Sequence, residues 1–147
     1  MNQTINNRGL ALVKSFETCK LVAFRPTPDD VPTIGWGRTK GVNMGDTCTQ
    51  DQADAWLVED VKEAEDCVNE CVTASLTDNE FSACVSLAYN IGCHAFENST
   101  LVHLLNQADY NGAQAQFARW NKQAGKPLAG LTRRRQAEVQ LFESETT

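Results

Sequence analysis

The stretch over residues 15–39, SFETCKLVAFRPTPDDVPTIGWGRT, most constrains the fold of this chain. Apolar and polar residues alternate after Glu17, the turn-forming residues PDD follow, and β-branched and aromatic residues return in TIGWG. This order predicts a β-hairpin. Gly35 and Gly37 occupy alternate positions of the expected return strand, which leaves one strand face without side chains. A bare strand face indicates that another backbone or a ligand approaches closely.

A short amphipathic helix is predicted before the hairpin, over residues 8–17. Leu10, Val13 and Phe16 recur there at helical spacing. Glu17 lies at the C-terminal end of this helix, where a negative charge gains nothing from the helix dipole. Taken alone, such a residue is most often a solvated carboxylate. The pattern also indicates that the helix end brings this carboxylate to the mouth of the hairpin.

The rest of the chain indicates helices. The pattern Thr-Gln-Asp-Gln at 49–52 is a capping box, and it predicts one long amphipathic helix over about residues 50–72. A second capping box at 77–80 opens a broadly apolar helix that Gly92 is expected to end. Ser99 is expected to cap a further helix.

Composition narrows the class of protein. The chain has 147 residues, of which 41% are hydrophobic and 22% charged, as in one globular domain. No apolar run approaches the roughly 20 residues that span a membrane. The N-terminal residues do not have the pattern of a secretory signal peptide. The formal net charge of −6 argues against nucleic acid as a partner.

Six cysteines leave three alternatives open: disulfides, buried free thiols or a metal site. Cys67 and Cys71 are four residues apart on a predicted helix, but CxxxC alone is a weak zinc signal, since a structural site needs four ligands. His94 and His103 do not have ligand spacing. We therefore predict no metal site, and the sequence does not choose a disulfide pairing.

Three separated motifs carry a family resemblance: Glu17 followed by TIGWG, then YNIG…AF…STL over 89–101, then RWN…LTRRR over 119–135. In this order, across residues 8–143, they resemble the phage-type lysozymes of glycoside hydrolase family 24, the endolysins. The resemblance implies an α+β, lysozyme-like, mostly helical fold in a single catalytic domain, 1–147. Its small β-containing lobe is expected at about 15–48. A long helix then leads to a helical lobe, about 73–147, which includes the N-terminal helix.

The resemblance also implies glycoside hydrolysis, which needs an acid at the leaving oxygen and a second group on the other face of the sugar. Glu17 is the expected acid. Where the family has an Asp nine residues later, this chain has Pro26. Asp29 or Asp30 is the alternative partner, although both also suit an ordinary turn. Thr33 is expected to help hold the water.

Further site residues follow from the same resemblance. Tyr89, Asn90 and Ser99 are expected to bind the sugar. One arginine of the C-terminal helix, with Arg133 or Arg134 the better candidate, is expected either to reach the cleft or to belong to a solvated basic face. Arg38 is expected to support the hairpin.

The predicted function is that of an endolysin muramidase, which cuts the β-1,4 bond between N-acetylmuramic acid and N-acetylglucosamine in peptidoglycan and so lyses the host. The alternatives are a chitin-type glycosidase and an inactive wall-binding domain, the second motivated by Pro26 and the net charge. No cofactor is expected. The expected protein is a monomer that neither inserts into membranes nor binds nucleic acid. It accumulates in the host cytoplasm and reaches the wall through a separate pore protein.

Overall fold

The computed structural model describes residues 2–144, which divide into two compact units. The hairpin unit comprises Lys14–Lys62, and the helical unit comprises the described residues on either side of it. In chain order the elements are α1 (Asn7–Phe16), β1 (Lys20–Phe24), β2 (Thr33–Gly35), α2 (Gln50–Asp60), α3 (Lys62–Cys71), α4 (Asp78–Ile91), α5 (Cys93–Glu97), α6 (Thr100–Asn106), α7 (Tyr110–Gln116), a 3-10 turn (Phe117–Arg119), β3 (Lys122–Gln123), β4 (Lys126–Pro127) and α8 (Ala129–Glu143). The mostly helical, lysozyme-like architecture predicted from the sequence is confirmed.

The predicted hairpin forms from β1 and β2, which pair antiparallel with an irregularity between their two paired ends. The return strand is shorter than the pattern indicated, because β2 ends at Gly35 and the chain turns back at once to pair Ile34 with Arg38. Ala53 and Leu57 of α2 are buried, as is Ile34 of β2, and these two elements contact each other.

The prediction of one helix over 50–72 is wrong in one respect, because the helix is interrupted at Val61. Both capping boxes are confirmed: the side chains of Thr49 and Thr77 accept hydrogen bonds from the backbone three residues on, and the reciprocal bonds are present. Val61 is completely buried, and its N–H still bonds to the carbonyl of Leu57 at 3.0 Å. The apolar repeat continues through the interruption, so hydrophobic spacing alone gives no sign of it.

The core of the helical unit is centred on α4, which packs most extensively against α8. Residues 81 to 88 are all buried. Around α4 lie the large side chains Phe96, Leu101, Leu105 and Phe117, each completely buried. Burial of each such side chain stabilises the fold by about 1.5–3 kcal/mol. The predicted ends are confirmed, with Gly92 closing α4 at a φ of 91° and Ser99 capping α6.

The beginning of the chain belongs to the helical unit. The backbone N–H of Ile5 donates to Glu65 at 2.7 Å, and that of Asn6 donates to Ser82 at 3.0 Å. Gly9 packs so closely that a Cβ there would lie 2.8 Å from Ser82 Cβ. The first residues of the chain are therefore held against residues 65 and 82, which follow much later in the sequence.

Two of the six cysteines form a disulfide, Cys67–Cys93, within the helical unit. The other four are thiols, of which Cys84 is buried. Across residues 2–144 no three metal-binding side chains cluster, and no helix there has the length and apolarity that crossing a membrane requires.

Candidate active site

Glu17 directly follows α1 and is half-buried. A Cβ added to Gly37 would lie 3.6 Å from Glu17 Oε2, and Gly37 has a φ of 113°. This φ favours glycine, so the turn after β2 keeps a side-chain-free surface beside the carboxylate. Gly35 serves a different purpose, because a Cβ there would lie 3.3 Å from Ala53 Cβ. Of the two glycines that predicted a bare strand face, Gly35 therefore lies against α2 and Gly37 lies beside the candidate acid, Glu17.

The other predicted catalytic residues lie on the same hairpin but in different environments. Thr33 is 8% exposed, and its hydroxyl donates to the carbonyl of Val31 at 3.1 Å. Asp29 and Asp30 are exposed in the turn between the strands. The carboxylate of Asp30 accepts from the N–H of Thr27 at 3.1 Å, and the Asp30 N–H donates to the Thr27 carbonyl at 3.0 Å. Asp30 therefore stabilises its own turn.

Trp36, the aromatic residue of TIGWG, is fixed by an acidic residue that sequence reasoning missed. Its indole N–H donates to Asp54 Oδ1 on α2 at 2.7 Å. This hydrogen bond is the largest cause of the lowered pKa of Asp54, followed by the bond from Gln50. Lys14 pairs with Asp54 at 3.5 Å and lies over the Trp36 ring. The hairpin is thus attached to α2 through Trp36.

Arg38 has the supporting role expected of it. Its guanidinium lies 5.1 Å from the centroid of the Trp56 ring and pairs with Glu59 at 3.6 Å and Asp60 at 3.5 Å. These contacts connect the turn after β2 to the last part of α2. Arg38 is therefore occupied in holding the unit together.

The predicted sugar-binding residues all lie in the helical unit. Tyr89, half-buried, and Asn90, exposed, are in the last turn of α4. Asn90 and Trp120 both line a cavity of about 480 Å³, so two of the sequence motifs meet there. The hydroxyl of Ser99 accepts from the Val102 N–H at 3.2 Å and donates to the Phe96 carbonyl at 2.6 Å.

The arginine-rich motif is mostly a buried ion cluster and not a solvated basic face. Arg133 is exposed, but Arg134 and Arg135 are 3% and 1% exposed. Both approach Glu138, with Arg134 Nε at 3.4 Å from Oε2 and Arg135 Nε at 2.7 Å from Oε1. Sequence reasoning missed Glu138, although the spacings of three and four residues on one helix were a signal for it.

Burial dominates the electrostatics of this cluster. Desolvation raises the pKa of Glu138, against the opposing effects of Arg135, Ser86 and Arg134. Desolvation likewise lowers the pKa of Arg135. Ser86 Oγ donates to Glu138 Oε2 at 2.5 Å, and Arg135 Nη1 donates to the Trp120 carbonyl at 3.1 Å. The cluster therefore joins α8, α4 and the residue after the 3-10 turn.

Comparisons with known proteins agree with this arrangement. A family model described as phage lysozyme matches residues 14–138. The endolysin of Acyrthosiphon pisum secondary endosymbiont phage 1 is 44% identical over 144 residues, which are 95% of this chain and 98% of that protein. The endolysin of Bacillus phage PZA is 41% identical over 97% of this chain, and the aligned region is 56% of that protein.

Solved structures give the same result. The muramidase domain of SpmX from Asticaccaulis excentricus has a TM-score of 0.90 at 34% identity, covering 97% of this chain and 99% of that one. A crystal structure of a P22 lysozyme mutant has a TM-score of 0.88 at 33% identity, covering 97% and 99%. The chain therefore belongs to the phage lysozyme family, and it is a lysozyme-type glycoside hydrolase.

Proposed function

We propose that Glu17 is the general acid of an endolysin muramidase, which hydrolyses the β-1,4 bond between N-acetylmuramic acid and N-acetylglucosamine in peptidoglycan and so lyses the host cell. The observation that carries this proposal is the half-buried carboxylate of Glu17 beside the side-chain-free Gly37, in a chain of this family. A carboxylic acid placed there is able to protonate the leaving oxygen of a glycoside.

The second group of the reaction is proposed to lie on the hairpin. Asp29 is the better candidate, since the carboxylate of Asp30 is already bonded to the Thr27 N–H. Thr33 is proposed to position the water together with Asp29. The Thr33 hydroxyl uses its proton on the Val31 carbonyl, which leaves its oxygen as an acceptor for a water proton.

Tyr89, Asn90 and Ser99 are proposed to bind the glycan. The shared cavity of Asn90 and Trp120 supports this, because amides and aromatic rings are suited to acetylated sugars. Since the Ser99 hydroxyl already makes two hydrogen bonds, its contact with the sugar would use its second lone pair.

For delivery, we propose that the protein accumulates as a monomer in the host cytoplasm and passes through a separate pore protein. The endolysin relatives support action on the wall. Relatives from bacteriophage PS34 and enterobacteria phage P21, each 32% identical over 123 residues, are named SAR-endolysins, so the family has members of more than one kind. Expression in a host with and without a co-expressed pore protein tests this route, since lysis without the pore protein would contradict it.

The catalytic proposal is tested by the loss of turbidity of Gram-negative cells with a permeabilised outer membrane. Glu17→Gln is expected to lower the rate at least about 10²-fold, the contribution of a general acid. Asp29→Asn and Thr33→Ala are expected to lower it as well. Asp30→Asn, the matched control, is expected to keep most of it. A folded Glu17→Gln variant with the rate of the parent would overturn the mechanism and leave the family unchanged.

A further inference from the structure

The helical unit contains a cavity of about 740 Å³ that the proposed reaction does not use. It lies between α7, the 3-10 turn and α8. Five of its ten lining residues carry primary amides and one carries a hydroxyl, namely Asn111, Gln114, Asn121, Gln136, Gln140 and Thr132. Ala115, Ala118 and Val139 supply apolar surface between them. A cavity of this size is in the range of small-ligand sites.

The lining presents no exposed charge. Arg135 borders the cavity, but its side chain is 1% exposed. Its guanidinium donates to the Trp120 carbonyl at 3.1 Å and to Glu138 Oε2 at 3.1 Å. A ligand of this cavity would therefore bind through neutral hydrogen bonds to the lining and not through an ion pair.

The amides of the cavity have hydrogen-bonding capacity to spare. Gln114 donates to Glu143 at 2.8 Å and Asn121 donates to Thr132 at 3.1 Å, which uses one of the two N–H groups of each amide. Within residues 2–144, the side chains of Asn111, Gln136 and Gln140 make no hydrogen bond to the protein. The cavity thus offers both donors and acceptors, as a ligand rich in hydroxyl and amide groups requires.

A second cavity, of about 620 Å³, adjoins the first and shares Asn111 and Gln114 with it. Tyr110 and Phe142 line this part, together with the carboxylates of Glu80 and Glu143. Two connected cavities accommodate a chain better than a compact molecule. Phe142 is only 3% exposed, so the half-buried ring of Tyr110 supplies the apolar area for the face of a sugar ring. The carboxylates disfavour an anionic ligand by like-charge repulsion.

We propose that these two cavities form one groove that binds a neutral chain of N-acetylated glucosamine units. The helical unit would then hold a glycan strand of the wall through a surface separate from the reacting residues. The identity of the polymer rests on the proposed function. Since the wall presents many copies of the same sugar, a second contact raises retention on it by increasing the effective concentration of the enzyme.

Nuclear magnetic resonance titration with tri-N-acetylchitotriose tests the groove directly, in a Glu17→Gln background that prevents cleavage. The side-chain amide signals of Asn111 and Gln114 are expected to shift saturably. In Gln136→Ala/Gln140→Ala the Kd from these signals should rise about fivefold to thirtyfold, as the loss of one or two neutral hydrogen bonds predicts. The control is Gln107→Ala, an exposed glutamine outside the groove, which should leave the Kd unchanged.

The second arm compares sedimentation with purified wall sacculi against hydrolysis of a soluble oligosaccharide. The double variant is expected to sediment less than the parent while its rate on the soluble substrate is unchanged. Groove amides that do not respond to the trisaccharide, or a double variant that binds it like the parent, would overturn the proposal. An enzyme that cuts no peptidoglycan while its groove still binds the trisaccharide would refute the proposed function alone.

Discussion

Replacement of Glu138 by glutamine is expected to destabilise the protein severely while changing its shape very little. Glu138 is completely buried and accepts hydrogen bonds from Ser86, Arg134 and Arg135. Three bonds to a charged acceptor at about 1.5–3 kcal/mol each would sum to about 5–9 kcal/mol. This is an upper bound, because glutamine also relieves the desolvation that raises the pKa of the carboxyl group.

A lower value for the destabilisation follows from the cost of breaking a buried ion pair. That cost is about 3–5 kcal/mol, because the partner's charge stays buried without its counter-charge. Here Arg135, 1% exposed, would lose its counter-charge. We therefore expect the free energy of unfolding, measured in urea, to fall by about 3–5 kcal/mol. The midpoint temperature would fall by about 10–15 °C, at about 3 °C per kcal/mol for a chain of this size.

The matched control is Glu143→Gln on the same helix, since that carboxylate is exposed and bonds to Gln114 alone among the described side chains. It is expected to change the unfolding curve very little. If Glu138→Gln were destabilised by less than about 1 kcal/mol, or no more than the control, the cluster would contribute little beyond its packing. The reasoning from an uncompensated buried charge would then be refuted.

Three other predictions concern the glycine beside the acid and the cysteines. Gly37→Ala is expected to cost about 1–2 kcal/mol, because its φ of 113° strains a side chain. It is also expected to slow lysis, because the added methyl group would occupy the space next to the Glu17 carboxylate, 3.6 Å from Oε2; an unchanged rate and melting curve would contradict this. Reduction of Cys67–Cys93, which are 26 residues apart, should lower the free energy of unfolding by about 3.5 kcal/mol through chain entropy, and unchanged urea curves with and without reductant would disprove it. Burial raises the pKa of Cys71 to about 11, so at pH 8 about one thiol in a thousand is ionised. Its alkylation, followed by mass spectrometry, should accelerate about tenfold per pH unit up to that pKa, and a plateau near pH 8 would exclude the raised pKa.

Local signals in the sequence were sufficient for most of the fold. The capping boxes at Thr49 and Thr77 and the glycine stop at Gly92 use side chains or backbone freedom within four residues of where they act, so a pattern alone is able to reveal them. The interruption at Val61 was not predictable in this way, since the apolar repeat runs through it and neither proline nor glycine marks it. Val61 is completely buried there, and burial depends on contacts that a local pattern does not contain.

The candidate site was predictable where residue type and motif coincide, as at Glu17 and Gly37. The site was harder to predict where the environment of a residue depends on distant parts of the chain. The arginine motif suggested exposure, yet Arg134 and Arg135 are buried because Glu138 and Ser86 provide partners. The sequence left the cysteine pairing open. Cys71 is one helical turn from Cys67 in the sequence, whereas Cys93, the actual partner, comes close to Cys67 only in the folded chain.

The arrangement of the N-terminal residues has a consequence for the order in which the chain folds during synthesis. The hairpin unit interrupts the helical unit, so Ile5 emerges from the ribosome long before Glu65, and Asn6 long before Ser82. The contacts of the hairpin unit, by contrast, close within one continuous segment, which favours early formation. We expect nascent chains whose residues up to about 75 have left the ribosome to protect residues 14–62 from proteolysis while residues 2–13 are still cleaved.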